Sequence, residues 1–284
     1  RFAGLNWFDA VCHTFSTVAT GGFSPHNGSI GVFNNVYIES IIILFMFLGG
    51  INFALHFQLV RRNFAVVFKN PEFKAYCAML LTGILFVTWS LTRISATGDA
   101  GQAFRSAAFT VVSINTTTGF VTDDFNLWPE YLKLFMVAIM MVGGCSGSTS
   151  GSFKVIRFII LLKIIMRELK KLVYPRAIFH VKVGDKTIDP DDLSNVAALT
   201  FLFMGFSALG GVLLSAMGVD LTTALSATVA SLFNIGPGLG NVGAMGNYAD
   251  IPAMGKGILI IFMLLGRLEI YGVMLLFLPM TWRK

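Results

Sequence analysis

Residues 101–120 of the chain read GQAFRSAAFTVVSINTTTGF, and this segment contains the pattern from which the architecture is predicted. A moderately apolar segment, too short to cross a bilayer core of about 30 Å, leads into a turn rich in Thr and Gly. Two other stretches share the design: FDAVCHTFSTVATGGFS at residues 8–24 and LTTALSATVASLFNIGPGLG at residues 221–240. A polar loop and a full apolar span follow each of them. The repetition predicts three copies of one unit, made of a short helix, an irregular turn and a spanning helix.

The composition is that of a membrane protein. Hydrophobic residues make up 55% of the 284 residues and charged residues only 13%, whereas a soluble domain carries about 25% charged residues. Apolar surface on this scale needs lipid as its solvent. Five spans are predicted, at Ile38–Leu59, Ala75–Leu91, Leu132–Met166, Val196–Met217 and Ile258–Pro279.

The basic residues predict the orientation of these spans. They follow the first span, fill the region from residue 154 to residue 186 and end the chain at Arg283 and Lys284, so these segments are assigned to the cytoplasm. The three short helices then lie on the outer side, and a short helix that returns to its own side is a re-entrant pore loop. The net charge of +6 lies beside apolar runs, so nucleic-acid binding is not expected.

The three turns are predicted to bind an ion. Irregular backbone at membrane depth has carbonyls that lipid cannot satisfy, unless they line a water-filled cavity or coordinate an ion. The turns contain no Asp or Glu, and neutral carbonyls favour a weakly hydrated monovalent cation over Ca²⁺ or Mg²⁺. The negative ends of the short helices favour a cation too. The alternative is a set of tight turns without an ion.

The predicted filter consists of Val18, Ala19, Thr20, Gly21 and Gly22 in the first turn, Thr116, Thr117, Thr118 and Gly119 in the second, and Asn234, Ile235, Gly236, Pro237 and Gly238 in the third. Within it, K⁺ is expected at Thr20, Gly21, Thr117, Thr118, Ile235 and Gly236. No organic cofactor is expected.

The third span is interrupted by GGCSGSTSGS at residues 143–152. Ten small or polar residues cannot form a stable helix that faces lipid. We predict a loop that lies across the permeation path below the filter and acts as a gate, formed by Gly143, Gly144, Cys145, Ser146, Gly147, Ser148, Thr149, Ser150, Gly151 and Ser152. A simple helix kink or a packing surface for a neighbouring helix is the alternative.

Arg267 lies about ten residues into the last span, where a charge is costly and is usually functional or paired. We predict that it points towards the pore below the filter, repels cations and steadies the gate loop. A structural ion pair, with Glu269 nearby, or a cap on free carbonyls is the alternative.

Other function classes find less support. Cys12, Cys77 and Cys145 are odd in number and form no CxxC motif, so neither a disulfide framework nor a zinc site is expected. No grouping of nucleophile, base and orienting residue indicates an enzyme. An ion-coupled secondary transporter stays open, because broken helices and repeats occur there too. A membrane subunit without flux stays open as well.

With Thr17–Ser24, Asn115–Phe120, Gly143–Ser152, Asn234–Gly240 and Gly266–Glu269, the chain resembles the Trk/Ktr/HKT superfamily of cation transporters, and within it the bacterial Trk-type potassium uptake subunits. The resemblance implies an all-α membrane fold, in which four helix, pore-loop, helix units surround one pseudo-fourfold pore. Residues 1–62 would be part of the second unit, residues 63–192 the third and residues 193–284 the fourth, with the first unit absent from this chain.

The resemblance also implies one filter glycine in each unit, at Gly22, Gly119 and Gly238. In the superfamily, Gly at this position accompanies a preference for potassium and Ser a preference for sodium. Because the filter position of the first unit is not in this sequence, a sodium-permeable member of the family remains an alternative. A homodimer in the bacterial inner membrane is implied, together with a cytosolic ring of nucleotide-binding regulatory subunits. The basic insert at residues 170–186 is the expected docking surface for that ring.

Overall fold

The computed structural model describes Arg1, residues 3–94 and residues 99–282, apart from the side chain of Met280. Arg283 and Lys284, which were used to predict the orientation in the membrane, lie outside the described residues. The chain is almost entirely helical. In chain order the helices are α1 (Trp7–Val18), α2 (Val36–Gly49), α3 (Phe53–Val60), α4 (Phe64–Lys69), α5 (Pro71–Ile94), α6 (Ala100–Asn115), α7 (Glu130–Met141), α8 (Val155–Val173), α9 (Pro190–Ala216), α10 (Leu221–Leu232), α11 (Ala253–Arg267), α12 (Ile270–Phe277) and α13 (Pro279–Trp282).

The remaining regular structure is small. Strands β1 (Lys182–Val183) and β2 (Lys186–Thr187) form an antiparallel hairpin between α8 and α9. Three short 3₁₀ segments lie after α1, α6 and α10, at Ser29–Phe33, Phe125–Leu127 and Gly240–Val242. Each copy of the predicted unit therefore continues from its turn into a similar short coil before the next long helix.

The three short helices predicted from the repeats are α1, α6 and α10. Each begins at a capping side chain that accepts a backbone N–H of the first turn, and these caps are Asn6, Asp99 and Asp220. Such a cap satisfies one of the amides that a helix start leaves without a partner. In the last two turns of α6, and along most of α10, nearly every residue is buried. These two helices thus form the centre of the molecule instead of a lipid-facing surface.

Only two of the five predicted spans are single helices in the described chain. These are α5 and α9, with 24 and 27 residues. The first predicted span was wrong as one continuous helix, because α2 and α3 meet at an angle of 104°. A new helix begins there, since the Asn52 side chain accepts the Ala54 amide at 2.8 Å. The last span is also broken, with 112° between α11 and α12 at Glu269, which has a φ of 57°.

The third predicted span is broken as expected. Helix α7 ends at Met141 and α8 begins at Val155, with an irregular loop at residues 142–154 between them. Each long helix α5 and α9 packs against the short helix that follows it. At one such contact, a Cβ on Gly83 of α5 would lie only 3.1 Å from Val111 Cγ1 of α6. Small residues permit this close approach of two helices.

A buried ion pair joins the first repeat to the second. Glu39 of α2 is only 4% exposed and accepts two hydrogen bonds from Arg105 of α6. The Arg105 Nε lies 2.5 Å from one Glu39 oxygen, and Nη2 lies 2.6 Å from the other. Arg105 Nη2 also donates to the Asn34 side chain at 3.1 Å. This bidentate ion pair fixes α6 against α2.

Replacing Glu39 by Ala should destabilise the protein. The change leaves the Arg105 guanidinium partly buried without its carboxylate, which costs about 3 kcal/mol when one partner of a buried pair is removed. The measurement is the thermal unfolding midpoint of the purified full-length protein in detergent, which should fall by several degrees.

Glu130→Ala is the matched control. Glu130 also pairs with a basic residue, Lys133 at 2.8 Å, but its side chain is 88% exposed. An exposed pair contributes about 0–1 kcal/mol, so the midpoint should barely move. Equal shifts in the two variants would mean that the Glu39–Arg105 pair does not hold the two repeats together.

Candidate functional site

The turns after α1, α6 and α10 adopt one backbone conformation. We call them turn A (residues 19–22), turn B (residues 116–119) and turn C (residues 233–236). The second residue of each has a left-handed backbone: Thr20 (φ 50°), Thr117 (φ 57°) and Asn234 (φ 57°). The fourth is a glycine with positive φ: Gly22 (φ 68°), Gly119 (φ 81°) and Gly236 (φ 109°). The third residue donates its amide to a helix carbonyl in all three: Gly21 to Ser16, Thr118 to Ser113 and Ile235 to Ala230.

This geometry corrects two details of the predicted filter. The glycine of turn C that matches Gly22 and Gly119 is Gly236, not Gly238. Gly238 is buried, and its amide donates to the Val242 carbonyl at 2.7 Å, so it belongs to the coil that follows the turn. The sequence GPG offers two candidate glycines, and the positive φ of Gly236 identifies the one that matches Gly22 and Gly119. Val18 is the last residue of α1 and precedes turn A.

The three turns lie against one another in order. A Cβ placed on Gly22 of turn A would collide with the Thr118 carbonyl oxygen of turn B. A Cβ on Gly119 of turn B would likewise collide with the Ile235 carbonyl oxygen of turn C. Because backbone meets backbone at both places, turn B lies between turns A and C, and the three are neighbours and not separate loops.

The threonine hydroxyls of the turns are used in bracing. Thr20 Oγ1 donates to the Thr149 carbonyl at 2.9 Å, and Thr117 Oγ1 accepts the Gly151 amide at 2.6 Å. Within turn B, the Thr118 and Thr116 hydroxyls lie 2.8 Å apart. Two hydroxyls thus bind residues of the 142–154 loop, and the others stiffen their own turn.

Turn C has a brace for which the described residues show no counterpart in turns A and B. The Tyr248 hydroxyl donates to the Gly236 carbonyl at 2.6 Å. Burial raises the pKa of Tyr248 to about 12, so the hydroxyl keeps the proton that it donates. No sequence pattern predicted this contact, because Tyr248 lies in a polar segment that the repeat pattern leaves unassigned.

The 142–154 loop is a compact structure with its own hydrogen bonds. Val142 and Phe153 form an isolated parallel bridge, and the Gly143 amide donates to the Phe153 carbonyl at 2.9 Å. The middle of the loop binds the broken end of α2. The Cys145 amide donates to the Gly50 carbonyl at 2.8 Å, and the Thr149 amide reaches the Gly49 carbonyl at 3.3 Å. These bonds give backbone groups of the loop partners inside the protein, where lipid offers none.

The same loop contacts all three turns. It reaches turn A through the Thr149 carbonyl and turn B through the Gly151 amide, as described above. It also approaches turn C, because a Cβ on Gly151 would lie 3.0 Å from the Asn234 Cβ. The loop lies where the three turns meet, on the side that faces the carboxyl ends of α1, α6 and α10.

Basic side chains hold the loop carbonyls. Arg267, the last residue of α11, donates from Nη1 to the Thr149 carbonyl at 3.0 Å. Lys154 donates to the Ser150 carbonyl. Glu269 does not pair with Arg267 in this structure; its two oxygens each lie 2.8 Å from Arg157 Nη2. The contact of Arg267 with the loop was predicted, and the partner of Glu269 was not.

The sequence reasoning missed one acidic residue at this place. Glu72, in the first turn of α5, is 7% exposed, and its Oε1 accepts one backbone amide of the loop and one of the start of α8. The Ser146 amide lies 2.6 Å away and the Ile156 amide 3.2 Å away. An acidic residue at the start of an otherwise apolar span was the signal available.

Comparisons with known proteins agree with this architecture. Residues 3–284 match the family model TrkH, described as a cation transport protein. The chain is 43% identical to the Trk system potassium uptake protein TrkH of Halomonas elongata, over 99% of this chain and 58% of the relative. It is 39% identical to TrkH of Salmonella typhimurium, over the whole of this chain and 58% of that protein. The chain thus spans well under two thirds of the length of these relatives.

A solved structure is similar over nearly the whole chain. The crystal structure of the potassium transporter TrkH from Vibrio parahaemolyticus superposes with a TM-score of 0.93 at 37% identity, over 99% of this chain and 60% of that one. The all-α membrane fold expected from the sequence is confirmed, and the matched proteins are named as transport proteins, not enzymes. By its family model and its fold, the chain belongs to the TrkH family of cation transport proteins.

Proposed function

We propose that this chain forms most of a channel-like pore for potassium uptake, in which turns A, B and C are filter strands and residues 143–152 are the gate. The observation that carries the proposal is the meeting of three turns of one backbone conformation with a single irregular loop beneath them. Irregular backbone at membrane depth is tolerated where it lines a cavity or coordinates an ion.

The chemistry of the turns favours K⁺ as the ion. Their side chains carry no charge, so carbonyl oxygens are the ligands on offer, and these suit a weakly hydrated monovalent cation. The carboxyl ends of α1, α6 and α10 all precede the turns and add partial negative charge. The proposed K⁺ ligands remain those expected from the sequence: Thr20, Gly21, Thr117, Thr118, Ile235 and Gly236. Gly236 would use the lone pair that Tyr248 leaves free.

The proposed gate is supported by the contacts of the loop. It is tied to turns A and B by hydrogen bonds, and Arg267 places a positive charge against its Thr149 carbonyl. A loop in this place blocks an ion that leaves the turns, and a cationic side chain adds repulsion.

The wider assembly is proposed from the relatives, which are named as Trk system potassium uptake proteins. We place the protein in the bacterial inner membrane as a homodimer, bound to a cytosolic nucleotide-binding regulatory subunit. The surface suited to that subunit comprises the end of α8 and the β1–β2 hairpin, where exposed basic residues are Lys170, Lys171, Lys182 and Lys186.

The test is ⁸⁶Rb⁺ uptake into proteoliposomes that contain the full-length protein, with K⁺ or Na⁺ as competitor. Uptake at channel-like rates that K⁺ suppresses and Na⁺ does not is the expected result. Equal competition by Na⁺ would make this a sodium-permeable member. Flux that requires an organic substrate would indicate a secondary transporter, and no flux would contradict the pore.

Gly119→Ser should reduce the discrimination between K⁺ and Na⁺ by about tenfold, equivalent to about 1.4 kcal/mol. The new side chain would stand at a φ of 81° and collide with the Ile235 carbonyl, so turns B and C must shift. The measurement is the reversal potential under bi-ionic conditions.

Gly218→Ser is the matched control for this strain. Gly218 also has a positive φ, of 90°, but no atom lies within 4 Å of an added Cβ, and it lies at the end of α9 away from the turns. It should keep the discrimination of the unaltered protein. A normal reversal potential in Gly119→Ser would remove turn B from the filter.

Shortening the loop between Gly144 and Gly151 should raise the K⁺ flux several-fold. The deletion removes the carbonyl that Thr20 and Arg267 bind, so the loop no longer spans the space below the turns. Conductance in planar bilayers measures the effect, and the reversal potential of the same variant is the internal control, since the turns keep their own hydrogen bonds. An unchanged conductance would count against the gate.

A further inference from the structure

We infer that Glu72 is a positioning residue that fastens the 142–154 loop in the place where it meets the turns. Nothing in the repeat pattern marks Glu72, which belongs to α5 and contacts none of the three turns through the hydrogen bonds described. The inference rests on the proposed function only for its effect on flux, because the loop is the proposed gate.

The first observation is the position of the carboxylate between the 142–154 loop and the start of α8. One Glu72 oxygen accepts the Ser146 amide from the loop and the Ile156 amide from the start of α8. A single buried atom thus links the middle of the loop to the helix into which the loop leads. Hydrogen bonds to a charged acceptor are among the stronger ones in proteins.

The second observation is the start of α8 itself. Lys154, at the N-cap position of this helix, makes no capping hydrogen bond with its side chain. The Ile156 amide is one of the first amides of the helix, which have no partner within it. Glu72 supplies the missing acceptor from another helix, and its negative charge faces the positive end of α8. The cap and the loop anchor are therefore the same group.

The third observation is that the loop has no comparable acidic anchor of its own. Its other described partners are hydroxyl groups, backbone groups and the side chains of Asn115, Lys154 and Arg267, which donate to loop carbonyls. Two cations bind loop carbonyls, whereas one carboxylate binds a loop amide and an amide of α8. Removal of Glu72 leaves two amides without their acceptor in a buried place, which favours displacement of the loop.

Cys145 provides a direct probe of that displacement. It lies beside Ser146, has 0% of its surface exposed and is a free thiol. A maleimide can reach it only when the loop opens locally, so the labelling rate reports the population of the open loop. The reagent is applied to full-length protein in which every other cysteine is replaced.

Glu72→Ala should raise the labelling rate of Cys145 by about tenfold or more, the size expected for loss of hydrogen bonds to a charged group. Glu72→Gln keeps an oxygen acceptor without the charge, and its rate should lie between those of the unaltered protein and Glu72→Ala. Lys74→Ala is the control, because Lys74 is a charged but exposed residue of the same helix. Its labelling rate should not change.

Flux through proteoliposomes is measured on the same variants. Faster labelling together with greater ⁸⁶Rb⁺ uptake and an unchanged K⁺/Na⁺ reversal potential supports the inference and the gate. Faster labelling without a change in uptake supports the anchor and contradicts the gate. An unaltered labelling rate in Glu72→Ala overturns the inference. If Glu72→Ala does not give a monodisperse protein, Glu72→Gln decides, and a rate equal to that of the unaltered protein overturns it.

Discussion

Backbone groups that lie within a membrane and outside regular helices must find hydrogen-bond partners inside the protein. This constraint organises the centre of the molecule. Lipid offers no partners, and each unsatisfied group costs several kcal/mol. The 142–154 loop finds such partners at the end of α2, at the hydroxyls of turns A and B, and at the carboxylate of Glu72.

The breaks in the helices follow from the same need. Where α2 stops at Gly49, the free carbonyls of Gly49 and Gly50 become acceptors for amides of the loop. Where α11 stops, the guanidinium of Arg267 is at its end and reaches the Thr149 carbonyl. Each broken helix therefore supplies groups that the loop requires, so the breaks and the loop depend on each other.

The sequence predicted the elements of this centre better than their connections. The short helices, the turns and the broken third span are visible in composition alone, because Thr and Gly follow short apolar segments and small residues fill 143–152. The bends at Gly50 and Glu269 were missed. Gly49, Gly50 and Asn52 lie at the first bend and Arg267 and Glu269 at the second, but residue type alone does not distinguish a bend from a straight helix.

The residue-by-residue alignment of turn C with turns A and B could not be predicted from the sequence for a similar reason. From the sequence, Gly236 and Gly238 are equally good candidates for the glycine that matches Gly22 and Gly119, and only the backbone of turn C distinguishes them. The role of Glu72 depends on two amides that are far away in the chain, at Ser146 and Ile156. Patterns of residue type carry no information about which amide lacks a partner in the folded protein.

The bond from Tyr248 to Gly236 shows what the proposed pore gains when its repeats lie in one chain. In an assembly of identical subunits, a change in one strand is copied into every strand. Here, among the carbonyls of the three turns in the described residues, that of Gly236 accepts a phenol proton, so in the proposed filter it would attract a cation less than its counterparts in turns A and B. A cation bound at that level of the proposed filter would rest away from the tyrosine, in a coordination shell of unequal strength.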